Sequence, residues 1–322
     1  MLSLRHRRDL DVDPRLHPRR QAHLSAASGL VRVGARCYVV ADDEHHLGSF
    51  GTDDREPVRL LRVFDGDLPL PMKRRKKLKP DLEALLALPP CPAWPAGALL
   101  GLGSGAQPNR RRGVLLPLAA DGSPAGPPQR IDLAAFYAPL VDAFVTLNIE
   151  GGFVDAGDLR LLQRGNDAGG VNATVSFDAG AFLDWLATPH GLPPRPRSVV
   201  RYALGAVAGV PLGFTDAAPL PGGAWLFSAV AEATEDSVAD GPCAGSAIGF
   251  VGRDGGLGRM HLLDGAPKIE GVAGGVGQGG VLHLMAVTDA DDPDLPSQLL
   301  CAEAALSSEF TGRAVPGRTA WP

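Results

Sequence analysis

Cysteine is scarce in this chain of 322 residues: Cys37, Cys91, Cys243 and Cys301 lie 54, 152 and 58 residues apart, with no CxxC pair. That spacing argues against a zinc site and indicates no disulfide framework. No apolar run approaches the ~18 residues needed to cross a bilayer. The start, MLSLRHRRDLDVDPR, is charged from residue 5 and lacks the apolar stretch of a signal peptide. The expectation is a cytoplasmic protein with no membrane partner. There is no GxSxG elbow, and GLGSGAQ (101–107) lacks the GK[ST] of a P-loop. Helical spacing is confined to DLAAFYAPLVDAF (132–144) and AGAFLDWLA (179–187), too little for a doubly wound α/β fold. Basic excess is missing too: the net charge of −5 argues against general nucleic-acid binding.

Turn formers are abundant instead. Gly 41 and Pro 29 together nearly double the usual ~12% share, with no collagen or low-complexity period. A 45% hydrophobic content still supplies a sizeable core. Many turns and a real core mean many short strands.

The strands come in a repeat. A hydroxyl or carboxylate residue precedes a short apolar step at Ser28 (ASGLVRV), Glu83 (PDLEALLAL), Glu150 (NIEGGFV), Thr215 (GFTDAAPL) and Glu270 (KIEGVAG), with spacings of 55, 67, 65 and 55 residues. After 9 to 15 residues each anchor is followed by a compact apolar run: CYVVA, ALLGLG, LRLLQ, AWLFSA and VLHLMAV. Every run ends in polar residues: Asp42-Asp43-Glu44, Ser104, Arg164-Gly165-Asn166, Glu232 and Asp289 to Asp292. Further runs (VRLLRVF, GVLLPLA, NATVSF, SVVRYAL, SAIGFV, RMHLL, SQLLCAEA) bring each unit toward four strands. Units of about 60 residues with four strands are propeller blades. The expected fold is all-β, a single five-bladed β-propeller with blades starting near 24, 79, 146, 211 and 266; six blades is the alternative count. The last unit is short by one strand, and LSLRHRRDLDV can supply it, closing the ring.

In a propeller, equivalent positions share one radius, so the five anchors should meet on the axis. Three clustered carboxylates cannot all ionise unless a cation sits between them. Hydroxyl and carboxylate oxygens suit calcium, whereas zinc favours His and Cys. Ser28, Glu83, Glu150, Thr215 and Glu270 are therefore the expected Ca2+ ligands. The alternative is that the glutamates pair with basic neighbours such as Lys79 and Lys268.

The order of these motifs resembles the calcium-activated nucleotidases, the apyrase family of five-bladed propellers with an axial calcium. SGLVRVGARCYVVADD, LEALLAL with GLGSG, IEGGFVDAGDLRLLQR, GFTDAAPL and KIEGVA are similar to that family's successive blade motifs, with Thr215 where the family has serine and a single Arg164 where it has paired arginines. More loosely, the chain is similar to bacterial phytase-like and esterase-like propellers. The resemblance implies a calcium-dependent hydrolase of a phosphorylated or ester substrate. Arg164 and Asn166 would then bind a small anionic molecule, while Asp42, Asp43 or Glu232 would activate water. The competing reading is a non-catalytic binding propeller fastened by a structural calcium.

Two basic stretches stand apart from the repeat, and two acidic ones end its runs. KRRKKLK (73–79) and NRRR (109–112) read as solvated loops that could steer an anion toward the channel. ADDEHH (41–46) and TDADDPD (288–294) read as acidic loop tips that could rim it.

Overall fold

A computed structural model describes residues 2–52, 56–165, 170–188, 191–233, 241–305 and 318–320. The turn-rich sequence folds into five small antiparallel sheets arranged as a five-bladed β-propeller. After β1 (Arg5–Asp9), blade 1 contains β2 (Ala27–Val33), β3 (Arg36–Ala41), β4 (His46–Gly51) and β5 (Arg59–Arg62). A helix, α1 (Met72–Leu78), leads to blade 2: β6 (Leu82–Leu88), β7 (Ala98–Gly103), β8 (Arg112–Pro117) and β9 (Gln129–Asp132). Helix α2 (Ala134–Ala143) precedes blade 3, made of β10 (Ile149–Asp155), β11 (Asp158–Gln163), β12 (Ala173–Asp178) and, after α3 (Ala179–Ala187), β13 (Ser198–Arg201).

Blade 4 has a two-residue strand, β14 (Ala206–Val207), then β15 (Val210–Pro219), β16 (Trp225–Glu232), β17 (Cys243–Val251) and β18 (Leu257–Leu262). Blade 5 has β19 (Ile269–Val276), β20 (Val281–Thr288) and β21 (Gln298–Ala305); a last strand, β22 (Arg318–Ala320), adds to the edge of blade 3 beside β13.

Ring closure follows the sequence expectation. β1 lies antiparallel on β21, with His6 opposite Leu300 and Asp9 opposite Gln298, so the first strand completes the last blade. The hydrophobic core is divided the same way, with one buried cluster between each neighbouring pair of blades. Leu82 and Leu85 pack on Tyr38 and Val40; Ile149 and Leu159 on Leu86 and Leu100; Phe214 and Leu212 on Phe153 and Leu162; Ile269 and Val272 on Leu226 and Ile248; Leu30 and Ala27 on Val287 and Leu299. The blade 2–3 cluster also takes in Phe136 of α2 with Phe182 and Trp185 of α3, ring centroids 5.0 and 5.5 Å away, so both helices extend an interface between blades. No described helix is long and apolar enough to cross a membrane.

The KRRKKLK stretch departs from expectation. It forms the helix α1 rather than a solvated loop, and Arg75 and Lys79 are buried. Lys, Arg, Met and Leu are good helix formers. The like-charge repulsion that argued for a loop is met by carboxylates beneath: Arg75 Nε lies 3.0 Å from Asp43, and Lys79 pairs with Asp42 and Asp81.

Candidate functional site: an ion-paired mouth on the propeller axis

The innermost strands β2, β6, β10, β15 and β19 neighbour one another around the ring. Each breaks register with its partner at the anchor residue: between Ala27 and Leu30, Leu82 and Ala84, Ile149 and Gly151, Phe214 and Asp216, and Ile269 and Gly271. Ser28, Glu83, Glu150, Thr215 and Glu270 thus sit in β-bulges, where an extra residue leaves the ladder and its side chain is re-aimed. The sequence repeat is a repeat of bulges. Close approach of the strands explains the small residue that follows four of the anchors: a Cβ on Gly271 would lie 2.7 Å from the Ser28 carbonyl oxygen.

A second ring lies outside the first, where the second strands end. The N–H groups of Asp42, Ser104, Arg164 and Asp289 donate to the carbonyls of Ala26, Asp81, Asn148 and Lys268, at 2.9 to 3.1 Å. Each acceptor stands two residues before an anchor. In blade 4 the matching pair is Gly213 with Val230, so Glu232 overhangs the ring by two further residues.

The charges of the two rings interlock. Arg164 Nη2 donates to Glu232 Oε2 (2.8 Å), while Nη1 lies 3.5 Å from Glu150 and 3.8 Å from Glu270. Its stem crosses blade 4 where Gly213 leaves room; a Cβ there would lie 2.9 Å from Arg164 Cγ. Lys268 Nζ faces Asp291 (2.5 Å), Glu232 (3.1 Å) and Glu270 (3.4 Å). On the opposite side, Lys79 bridges Asp42 and Asp81, and Asp81 also accepts from Arg110 (2.8 Å) and the Ser104 hydroxyl (2.5 Å). Asn148 donates to Glu150 at 2.6 Å. Glu83 alone of the axial glutamates has no hydrogen bond or ion pair among the described residues. One oxygen from each of Asp42, Asp81 and Glu83 falls within 4.8 Å of the others.

The anchors therefore converge, but they are engaged differently. Ser28 and Thr215 direct their hydroxyls to the carbonyls of Ala26 (3.4 Å) and Ile269 (2.7 Å), and Glu150 and Glu270 face cations supplied by the chain. The pairing of axial glutamates with basic neighbours holds for Glu270 with Lys268. Arg164 is 5% exposed and surrounded by carboxylates, which leaves it in an inter-blade role rather than open to an anion. Asp43 turns away from the axis to Arg19 (3.1 Å) and Arg75 (3.0 Å). Asn166 lies outside the described residues. The ADDEHH tip is no solvated turn at Glu44 and His46, both buried: Glu44 faces His17 (2.9 Å) and Arg19 (2.6 Å).

Asp81 and Asp216 escaped the sequence reading. Asp216 fills the position held elsewhere by Gly29, Ala84, Gly151 and Gly271, an exception to the repeat that was visible in the sequence. Its carboxylate accepts main-chain N–H groups of Ala217 (2.8 Å), Val272 (2.9 Å) and Leu30 (3.5 Å), tying three inner strands beneath the anchors. Beyond it, a cavity of about 170 Å³ lined by Leu30, Leu86, Phe153, Ala218 and Val272 forms the apolar end of the channel.

Burial among like charges shapes the protonation of the mouth. It pushes Glu150 up to about 8, with Glu270 adding to the rise and Arg164 opposing it. Asp42 is raised to about 6 by burial, against the pull of Lys79. Burial also lifts Glu83 well above the carboxylate range, with Asp81, Glu150 and Asp42 adding to it. Glu44 is opposite: against its burial, the hydrogen bond from His17, the nearby His46 and the charge of Arg19 hold it at about 2. Raised groups keep protons in the folded state that the unfolded chain releases, so their contribution is lost as pH rises. In chelator, the melting temperature should fall steadily between about pH 5 and 8, and Glu150→Gln should flatten the fall. Calorimetric melts across that range would show it; a rising curve would contradict the assignment.

No curated protein matches the chain. Among solved structures, it is similar to Bacillus subtilis arabinanase Arb43A at 12% identity, covering 90% of this chain and 97% of that one with a TM-score of 0.40. The Myceliophteria thermophila Cps50 (Swd1) β-propeller domain matches at 11% identity over 85% and 69% of the two chains, with a TM-score of 0.36. Virginiamycin B lyase from Staphylococcus aureus matches at 12% identity over 94% and 75%, with a TM-score of 0.34. Residues 23–304, from just before the first blade to the end of β21, fit the pattern of one sequence family, and the chain belongs to it: DUF6929, a family of unknown function.

Proposed function

We propose that the chain is a cation-binding propeller whose mouth takes a hard divalent ion, calcium, between blades 1 and 2. The observation that carries this reading is the convergence of Asp42, Asp81 and Glu83, with Glu83 unpaired and the surrounding carboxylates outnumbering the cations. All three donors are carboxylate oxygens, the chemistry calcium prefers, and no His or Cys joins them. The proposed ligand set keeps Glu83 from the axial five and replaces the other four with Asp42 and Asp81, because Arg164 already lies between Glu150 and Glu270. Bound there, the ion would supply the positive charge that Lys79 now provides to Asp42 and Asp81, and would fasten blade 1 to blade 2.

Calcium that binds only the folded state stabilises it by about 4 kcal/mol at a thousandfold excess over its dissociation constant. For a chain of this size that corresponds to roughly 8 to 16 °C in melting temperature. Magnesium should do much less, because its smaller shell demands tighter octahedral geometry. Glu83→Gln should abolish the calcium response and, in chelator, leave the protein as stable or more so, since it removes a crowded charge. A variant that still responds fully to calcium would end this reading.

A hydrolytic role for the same mouth is the second reading, favoured by the unpaired state of Glu83. The two oxygens of Glu232 are engaged by Arg164 and Lys268, and Asp43 by Arg19 and Arg75. Glu83, with Asp42 beside it, is then the group placed to accept a proton from water. A screen of phosphate and aryl esters with calcium and with chelator tests this. Turnover that survives in Glu83→Gln would exclude Glu83 as the base.

A further inference from the structure

A surface helix normally turns its apolar side chains inward and its charges to water. Helix α1 does the reverse. Its inward groups are Arg75 and, just past its end, Lys79, drawn down to Asp43, Asp42 and Asp81 at the mouth. The groups left in water include Met72 and Leu78, 42% and 58% exposed, with Leu70 just before the helix at 71%. Lys73, Arg74 and Lys77 are exposed beside them, and their side chains make no ion pair among the described residues.

The turn at 13–17 extends this surface. Asp43 faces both Arg19 and Arg75, so the turn and the helix stand side by side above blade 1. Leu16 projects from that turn at 71% exposure, with Arg15 and Arg20 exposed near it in sequence. Four of the eight large apolar side chains exposed among the described residues therefore gather at one end of the propeller, interleaved with cations. Acidic neighbours are already matched: Asp13 with Arg15 (2.7 Å), Asp67 with Arg62 (2.7 Å) and Asp65 with Arg130. The exposed Asp292 and Asp294 limit the patch on the side of blade 5, whose loop meets Lys76 around one cavity.

We infer that α1 and the 13–17 turn form a docking surface for an anionic phospholipid bilayer. Lys73, Arg74 and Lys77 meet the lipid phosphates, while Leu16, Leu70, Met72 and Leu78 enter the boundary between headgroups and acyl chains. The apolar tips come from separate segments and stand out from the surface, which suits a soft, flat partner that receives each tip where it falls. The surrounding cations require that partner to be negatively charged. The sequence expectation of no membrane partner came from the want of a spanning segment, and a contact in the plane of the interface needs none. The inference is independent of the calcium reading, and its test is run in chelator.

The test is flotation of the full chain with vesicles of phosphatidylcholine alone and of phosphatidylcholine mixed with phosphatidylglycerol. Binding to the mixed vesicles only is expected, weakening as salt is added. Changing Lys73, Arg74 and Lys77 together to Gln should weaken it by roughly a hundredfold, at the usual contribution of a cation near such a surface. Changing Leu70, Met72 and Leu78 together to Ser should weaken it by roughly tenfold or more while leaving the salt dependence in place. All six positions are exposed, so both variants should melt like the parent chain; should the serine variant not, the glutamine variant decides. Equal binding to phosphatidylcholine alone, no binding to either vesicle, or binding unaltered in either folded variant would each overturn the proposal. Retention on polyglutamate without vesicle binding would do so too, and would assign the patch to an acidic protein.

Discussion

Replacing Arg164 by methionine is expected to cost about 3 to 5 kcal/mol of stability, the usual effect of removing one partner from a buried ion cluster. The guanidinium faces Glu150, Glu232 and Glu270, which belong to blades 3, 4 and 5, and it is the only cation within reach of Glu150 among the described residues. Methionine keeps the stem packed over Gly213 and removes only the charge. The loss should shrink toward pH 5, where the abandoned glutamates can take up protons, and be largest near pH 8. Urea denaturation at the two pH values measures both. Adding Glu150→Gln to the variant should recover part of the loss, since it removes one of the uncompensated charges; a double-mutant cycle gives the coupling. If Arg164 were instead a substrate-binding group held ready for an anion, its removal would leave stability nearly unchanged.

Deleting residues 1–9 should be comparably severe. β1 is the outer strand of blade 5, and without it β21 presents a bare edge of N–H and C=O groups. Leu2 and Leu4 also pack on the cluster between blades 4 and 5. Losing two half-buried leucines at about 1 kcal/mol each, with the strand pairing besides, predicts a fall in melting temperature on the order of 10 °C and self-association through the exposed edge. Supplying residues 1–9 as a peptide should restore much of the melting temperature. A truncated chain that melts unchanged and stays monomeric would show that the ring closes without β1.

The blade repeat was legible because each blade is a local unit with its own strands and turns. CYVVA, ALLGLG, LRLLQ, AWLFSA and VLHLMAV all became second strands. β4 (HLGSFG) and β9 (QRID) were not recognised, since one is interrupted by Gly and Ser and the other is half charged; both form by pairing with a stronger neighbour, β3 and β8. The five anchors were legible as a spacing, and the bulges explain why they share one radius. What the sequence did not disclose is pairing across the axis. Arg164 and Glu232 are 68 residues apart, and Lys79 and Asp42 are 37 apart, so nothing local links them. The KRRKKLK stretch reads as a water-exposed loop until the acidic mouth beneath it is known. Asp216 was the one site residue whose signal was present and passed over: a carboxylate in the small-residue position of the repeat.

The pairing of β1 with β21 also sets the order of events during synthesis. His6 lies opposite Leu300, so the strand made first must wait for the strand made almost last. At ~5 to 20 residues per second, that interval is on the order of 15 to 60 s. Blades 1, 2 and 4, and blade 3 up to β13, can form as they emerge, because these ladders are local hairpins, whereas blade 5 is completed by β1 and the edge of blade 3 by β22, through contacts of high sequence separation. For that interval the N-terminal segment is an unpaired strand carrying Arg5, Arg7 and Arg8. Basic residues on a waiting strand discourage premature pairing with other edges, so the charge pattern at the start of the chain guards it until its place in the ring exists.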